Sequence, residues 1–306
     1  MLAPTTDVDR AVAAIERGGL VAIPTETVYG LAADATNPTA VRRIFEVKGR
    51  PAGHPLIVHL ADAAALDDWT NDVPAGARTL VALAWPGPLT VLLPRSGLVL
   101  DEITGGRASV GLRVPAHPLT RELIGRTHPL AAPSANRFGS VSPTTAAHVL
   151  ADLGDRLDPD LDVILDGGAC PIGVESTIVD FCVDPPQILR AGGVPPEQVE
   201  ALMGADLADA TGPSRASGML ESHYAPRCPV ILVDTQDEAD AAARDRPGSV
   251  VLGVTDDIAQ YARTLYSSLR AADDAGASCV IALLPPAAGL GHAVRDRLLK
   301  AAAPRR

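Results

Sequence analysis

Apolar runs of three to six residues recur along this chain, each closed by proline, glycine or a polar cluster, and they alternate with segments whose apolar positions repeat at helical spacing. Val8, Val12 and Ile15 share one face of a first helix, DVDRAVAAIERG, which Thr6 or Asp7 can cap and Gly18-Gly19 can end. The run LVAIP then reads as a buried strand, followed by the polar loop PTETVYG. Asn37-Pro38 supplies an N-cap and a first-turn proline for a helix through Val41, Ile44, Phe45 and Val47. PLIVHL is a strand, a helix spans roughly Ala75 to Trp85, and the turn WPGP leads into the strands LTVLLPR and VGLRVP. PLAAPSAN is a strand entering the loop PSANRFGSVSPT, after which Thr144 or Thr145 opens the helix TTAAHVLADLG. DVILDGG, STIVDF and QILRAGG are closely spaced strands, and PPEQVEALMG is a short helix.

The pattern changes between Ala205 and Pro229, where a polar stretch with Gly and Pro shows no sustained period and reads as a linker. Beyond it, PVILVD, GSVVLGV and SCVIALLPP alternate with helical segments, the signature of a small α/β unit with a parallel sheet. The expected organisation is an α/β fold: a large domain with a mixed sheet over 1–204, a linker over 205–228, and a small α/β domain over 229–306.

Composition narrows the class. With 306 residues and 47% apolar content there is ample core for one large or two ordinary domains. The apolar windows fall short of the roughly 20 residues of a membrane span. MLAPTTDVDR lacks a basic start and an apolar run, so no secretory signal is expected. Cys170, Cys182, Cys228 and Cys279 are scattered and show no metal-ligand spacing. A cytoplasmic protein is expected. The formal charge of −11 argues against a general nucleic-acid coat; up to residue 200 there are 15 basic against 24 acidic residues, a net −9. Any anion site is therefore a local cluster of cations on an acidic background.

The candidate chemistry sits at strand ends, where open α/β sheets collect ligands. No P-loop, dinucleotide-binding glycine motif, G-x-S-x-G elbow or H-E-x-x-H is present. Thr27, Lys48, Arg50, His59, Arg113, Ser134, Asn136, Ser176 and Arg190 remain, four cations among small hydroxyls, a set suited to a polyanion such as a nucleotide. Arg113 interrupts an apolar strand and needs a partner or an anionic ligand. The chain has only two lysines, Lys48 and Lys300, against 24 arginines. A lysine kept in such a chain suits a site wanting a compact ammonium, although a cation at a helix C-terminus is also favoured by the dipole.

These residues lie in PTETVYGLA (24–32), KGRPAGHPLIVHL (48–60), WPGPLTVLL (85–93), VGLRVP (110–115), APSANRFGSVSPT (132–144), GVESTIVD (173–180) and ILRAGG (188–193). Together they resemble the YrdC-type L-threonylcarbamoyladenylate synthases. SGMLESHYAPRCPV (217–230) and GLGHAVRDRLLKAA (289–302) resemble the long form with an extra C-terminal domain. The resemblance implies a large YrdC-like domain with a twisted mixed sheet and a smaller Rossmann-like α/β domain. It implies condensation of L-threonine, bicarbonate and ATP to L-threonylcarbamoyl-AMP and pyrophosphate, for the threonylcarbamoyladenosine modification of tRNA. By position, Thr27, His59, Arg113, Ala132 and Ser176 match residues that hold threonine. Lys48, Arg50, His54, Ser109, Ser134, Asn136, Ser142 and Arg190 match those around ATP, with Lys48 and Arg50 as the catalytic cations. His223 and Tyr224 match a linker pair laid over the nucleotide. The chain departs from the family pattern at Ala216-Ser217-Gly218-Met219, where Ser-Pro-Gly-Met is usual, and at His54, where asparagine is common.

The resemblance further implies Mg2+ carried by the ATP phosphates, no metal ligated by protein side chains, and a downstream tRNA threonylcarbamoyl transferase as partner. A carbamate is already an anionic nucleophile, so no strong general base is expected; in-line positioning and charge stabilisation carry the step. Two alternatives accompany this reading. One is a double-stranded RNA-binding module without nucleotide chemistry, against which the net −9 counts. The other is the carbamoyl-adenylate chemistry of hydrogenase maturation, which brings cysteine-rich zinc motifs that this sequence lacks.

Overall fold

The computed structural model describes residues 2–205, 207–210, 224–253, 255 and 257–304. The first part contains α1 (Val8–Glu16), β1 (Val21–Ile23), β2 (Gly30–Asp34), α2 (Pro38–Lys48), β3 (Ile57–His59), α3 (Leu66–Trp69), α4 (Ala75–Ala84), β4 (Leu89–Pro94) and α5 (Asp101–Thr104). It continues with β5 (Ser109–Arg113), α6 (Pro118–Arg126), β6 (Leu130–Ala131), α7 (Ala146–Leu153), β7 (Val163–Ile164), β8 (Thr177–Asp180), β9 (Gln187–Arg190), α8 (Pro196–Met203) and β10 (Ala208–Asp209). The second part contains β11 (Val230–Val233), α9 (Gln236–Asp245), β12 (Val250–Leu252), α10 (Ile258–Asp274), β13 (Val280–Leu283) and α11 (Gly291–Ala302).

Ten strands form the large sheet in the order β10-β9-β8-β4-β5-β3-β6-β2-β1-β7, and three form the small sheet, β11-β13-β12. The large sheet is mixed: β3 runs parallel to β5, while β4 runs antiparallel to β5 and parallel to β8. The small sheet is entirely parallel, as its alternating strands and helices predict. Local signals set several helix ends. Asp7 caps α1 through the amides of Asp9 and Arg10, Asn37 caps α2, and Thr145 caps α7. Gly49, left-handed at φ 64°, ends α2 immediately after Lys48.

Five elements fall where the pattern assigns no helix or strand: β2, α6, the short helices α3 and α5, and β10, which pairs with β9 inside the stretch read as linker. GLAAD forms β2, although its small side chains have little strand preference; pairing with β1 on one side and β6 on the other imposes it. PLTRELIGR forms α6, packed against α1 through Leu123 and Ile124. Most of the 205–228 linker, including His223, lies outside the described residues. No described helix is long and apolar enough to cross a membrane.

The two parts share a core. One hydrophobic cluster joins Val28, Val141 and Val174 of the first part to Tyr224, Tyr261, Leu265, Tyr266 and Leu269 beyond it. Helix α10 lies so close to the 173–176 loop that a Cβ on Gly173 would meet the Arg263 Cα at 2.5 Å, and this glycine also has φ +83°. The C-terminal unit is thus packed onto loops that end the central strands of the large sheet.

Candidate active site

The central strands end in one cleft, lined by side chains from eight segments. Parallel pairing of β3 with β5 sets His59 directly opposite Arg113. The 24–29 loop brings Thr27, the 132–134 segment brings Ala132 and Ser134, the 173–176 loop brings Glu175 and Ser176, and β9 ends at Arg190. Arg50 enters from the turn after α2, and Tyr224 enters from the edge of the C-terminal unit.

At one end, Arg113 is 4% exposed and fixed on three sides. Its Nη2 donates to Glu26 Oε1 at 2.7 Å and to Thr27 Oγ1 at 2.9 Å, and its Nε donates to the Gly87 carbonyl at 3.2 Å. Glu26 also accepts from the Ala116 amide at 3.0 Å. Burial works to raise the Glu26 carboxyl, but the charge and hydrogen bond of Arg113 hold it below its ordinary value. This is the partner that an arginine inside an apolar strand requires. His59 is fully desolvated and faces the Arg113 cation, which together push its imidazole down to about 3, so it is neutral at physiological pH. Its Nδ1 is buried without a hydrogen-bond partner among the described residues. Ser176 Oγ lies 2.8 Å from Thr90 Oγ1 and accepts from Arg190 Nη2 at 3.1 Å.

The other end is cationic. Arg190 is held by the Ser176 carbonyl through Nε at 3.1 Å and Nη2 at 2.8 Å. Arg50 donates to the Pro55 carbonyl at 3.0 Å and stacks over Phe138 at 5.7 Å; burial lowers its guanidinium to about 10, which leaves it charged. Tyr224 is buried with a left-handed backbone, φ 61°, uncommon for a bulky residue. Tyr266 stacks on it with ring centres 5.6 Å apart, and Arg297 lies over it at 5.2 Å.

Lys48 lies against the 134–138 loop. Its ammonium is not among the cleft's lining groups; it donates to the Ser134 and Asn136 carbonyls, each at 2.5 Å. Its own carbonyl accepts from the Phe138 amide at 2.9 Å. A desolvated ammonium needs acceptors, and the turn of the 134–138 loop presents two. Burial and the neighbouring Arg50 charge push this amine well below its ordinary pKa.

Several other expected nucleotide contacts also lie outside the lining. Asn136 spends its Nδ2 on the Arg137 and Ser140 carbonyls at 2.9 and 2.7 Å, and its Oδ1 is buried without a hydrogen-bond partner among the described residues. Ser142 donates to Glu175 at 2.7 Å. His54 packs edge-on against Phe138, and Ser109 begins β5 opposite Pro94. Sequence reasoning missed Glu26 and Glu175. Their signal was a carboxylate embedded among hydroxyls and apolar residues in each of PTETVYG and GVEST.

A mixed α/β sheet gathers at its strand ends three guanidiniums, a neutral imidazole and small hydroxyls in one cleft, a lining suited to a polar, anionic ligand. Residues 13–192 match the Sua5/YciO/YrdC family model described as "Telomere recombination", and residues 194–303 match the model described as "Threonylcarbamoyl-AMP synthase, C-terminal domain". The chain belongs to the Sua5/YrdC family of threonylcarbamoyl-AMP synthases, in the long form that carries both domains.

It is 40% identical to the threonylcarbamoyl-AMP synthase of Pyrococcus abyssi, over 94% of this chain and 91% of that protein. It is 38% identical to that of Bacillus subtilis, over 96% and 92%. The crystal structure of P. abyssi Sua5 complexed with L-threonine matches with a TM-score of 0.89 at 38% identity, covering 96% of this chain and 94% of that one. Full-length HypF, 21% identical with a TM-score of 0.53 over 62% of this chain and 29% of its own, shares the fold alone.

Proposed function

We propose that the cleft holds L-threonine at its Arg113 end and ATP at its Arg50–Arg190 end, and that it joins them through bicarbonate. The activity, synthesis of threonylcarbamoyl-AMP for tRNA modification, rests on relatives of that name 38–40% identical over nearly the whole chain. The assignment of ends rests on the cross-strand pair of His59 and Arg113 beside Thr27 and Ser176, with two further guanidiniums in the same cleft.

On this reading Arg113 binds the threonine carboxylate. Glu26 fixes the guanidinium plane in advance, so that little side-chain freedom is lost on binding. Neutral His59 offers its buried Nδ1 to the substrate without adding a charge that would repel the threonine ammonium. The threonine nitrogen, once neutral, bonds to the bicarbonate carbon and water leaves. A carbamate oxygen then attacks the α-phosphorus of ATP as the bond to pyrophosphate breaks, giving threonylcarbamoyl-AMP. Arg50 and Arg190 stabilise charge growing on the phosphates. Lys48 serves the step by fixing the loop that carries Ser134.

ATP enters as substrate. Magnesium is proposed to arrive on its phosphates, because Glu26 and Glu175 are committed to arginines. A downstream threonylcarbamoyl transferase is the expected consumer of the product, and a cytoplasmic location fits that role.

The test is pyrophosphate release from ATP with threonine and bicarbonate omitted in turn. Release that requires both is expected, and release that continues without either one refutes the reading.

A further inference from the structure

Glu175 is a carboxylate in the wall of a cleft read above as a phosphate site, and four segments meet on it. Ser142 donates to its Oε1 at 2.7 Å from the loop before α7. The Tyr266 hydroxyl lies 3.0 and 2.9 Å from its two oxygens from α10, and Arg297 Nε donates to Oε2 at 2.8 Å from α11. Its own segment carries Ser176, which Arg190 grips. Arg297 is the largest fully buried side chain of the described residues, and it also pairs with Asp296 at 2.5 Å. Close by, Arg270 of α10 pairs with Asp152 at 2.6 Å and donates to the Val141 and Ser142 carbonyls. The C-terminal unit therefore fastens the 173–176 loop, which walls the cleft, and the 141–142 segment bonded to it.

A bare carboxylate there would act against the enzyme twice. It would repel a triphosphate, and it would attract Arg190, the next cation after Arg297 to act on it. We propose that Arg297 is a positioning residue for the ATP end of the cleft: by neutralising Glu175 from the other domain, it lets a carboxylate join the active-site loops without opposing the triphosphate or capturing Arg190. The C-terminal domain thereby supplies a counter-ion to the active site in addition to a packing surface. Consistent with this geometry, burial alone would raise the Glu175 carboxyl, yet Arg297 and Arg190 together hold it at about 2. This inference rests on the assignment of ATP to the Arg50–Arg190 end.

The test uses the full chain with Arg297→Met, Arg297→Lys and the double variant Glu175→Gln/Arg297→Met. It reads the KM for ATP, the KM for threonine and kcat in pyrophosphate release, with thermal unfolding as a check on folding. Arg297→Met should raise the KM for ATP at least tenfold while the KM for threonine moves less than threefold. The double variant, which removes both charges, should return the KM for ATP to within about threefold of the parent, since a buried pair can be replaced by neutral groups at little cost. Arg297→Lys, which keeps the charge, should stay within the same range.

A double variant no better than Arg297→Met would overturn the proposal and leave Arg297 a domain-packing residue. If Arg297→Met does not fold, the double variant decides, and a tenfold higher KM for ATP there overturns it. If that variant is unfolded too, Arg297→Lys decides by the same criterion. Failure of the underlying assignment is distinguishable, because Arg113→Ala would then raise the KM for ATP and leave the threonine dependence normal.

Discussion

Lys48→Met separates holding a loop from touching a phosphate. The substitution keeps most of the apolar stem that lies beneath the 134–138 loop and deletes the ammonium that donates to the Ser134 and Asn136 carbonyls at 2.5 Å. Hydrogen bonds to a charged donor are worth about 1.5–3 kcal/mol each, so about 3–6 kcal/mol of interaction is removed. Relief of a desolvated ammonium returns part of that, leaving a net loss of about 2–3 kcal/mol of stability. For a folding unit near 200 residues this lowers Tm by about 5–10 °C.

The same change frees the backbone around Ser134, so preorganisation of the cleft is lost and kcat/KM should fall roughly a hundredfold, with the KM for ATP rising. Differential scanning calorimetry and a coupled pyrophosphate assay on one preparation give both numbers. A variant with lowered kcat but unchanged Tm would return Lys48 to a direct phosphate contact. One with unchanged Tm and full pyrophosphate release would remove it from both roles.

Arg113→Ala should raise the KM for threonine at least tenfold with kcat little changed, because it removes ground-state binding; a raised KM for ATP with normal threonine dependence would reverse the assignment of ends. His59 carries a pH signature. Its folded imidazole is depressed from 6.5 to about 3, so between those values the unfolded chain binds the extra proton. The stability it contributes is complete above pH 6.5 and declines as pH falls towards 3, by up to about 1.4 kcal/mol per pH unit. Urea unfolding of His59→Gln from pH 6.5 to 4.5 should show a correspondingly flatter slope, and parallel curves for parent and variant would refute the buried neutral state. Chelation by EDTA should abolish pyrophosphate release while leaving the Tm of the ligand-free chain unchanged, and a drop in Tm would reveal a metal held by the protein itself.

Local signals made much of the fold legible. Caps at Asp7, Asn37 and Thr145 and a left-handed glycine at Gly49 act within a few residues of the helices they bound, so sequence order alone exposes them. β2 was hidden because its small side chains carry no strand preference and its identity comes from two neighbours in the sheet. The cleft divides in the same way. His59, Arg113, Ser176 and Arg190 stand at strand ends, where side-chain alternation and strand length fix their placement, and the structure gathers them in one cleft.

What the sequence by itself determined, then, is the succession of elements, the two-part α/β organisation, and an inventory of polar residues at strand ends dense enough to mark a family. What only the tertiary structure decided is which charges meet. Glu26 finds Arg113 across 87 residues, and Glu175 finds Arg297 across 122. Lys48, the conspicuous lone lysine of the first domain, turns out to point into a loop. Ionic partners are chosen by burial and distance in three dimensions, where a desolvated charge must find its complement. No periodicity along the chain encodes that choice.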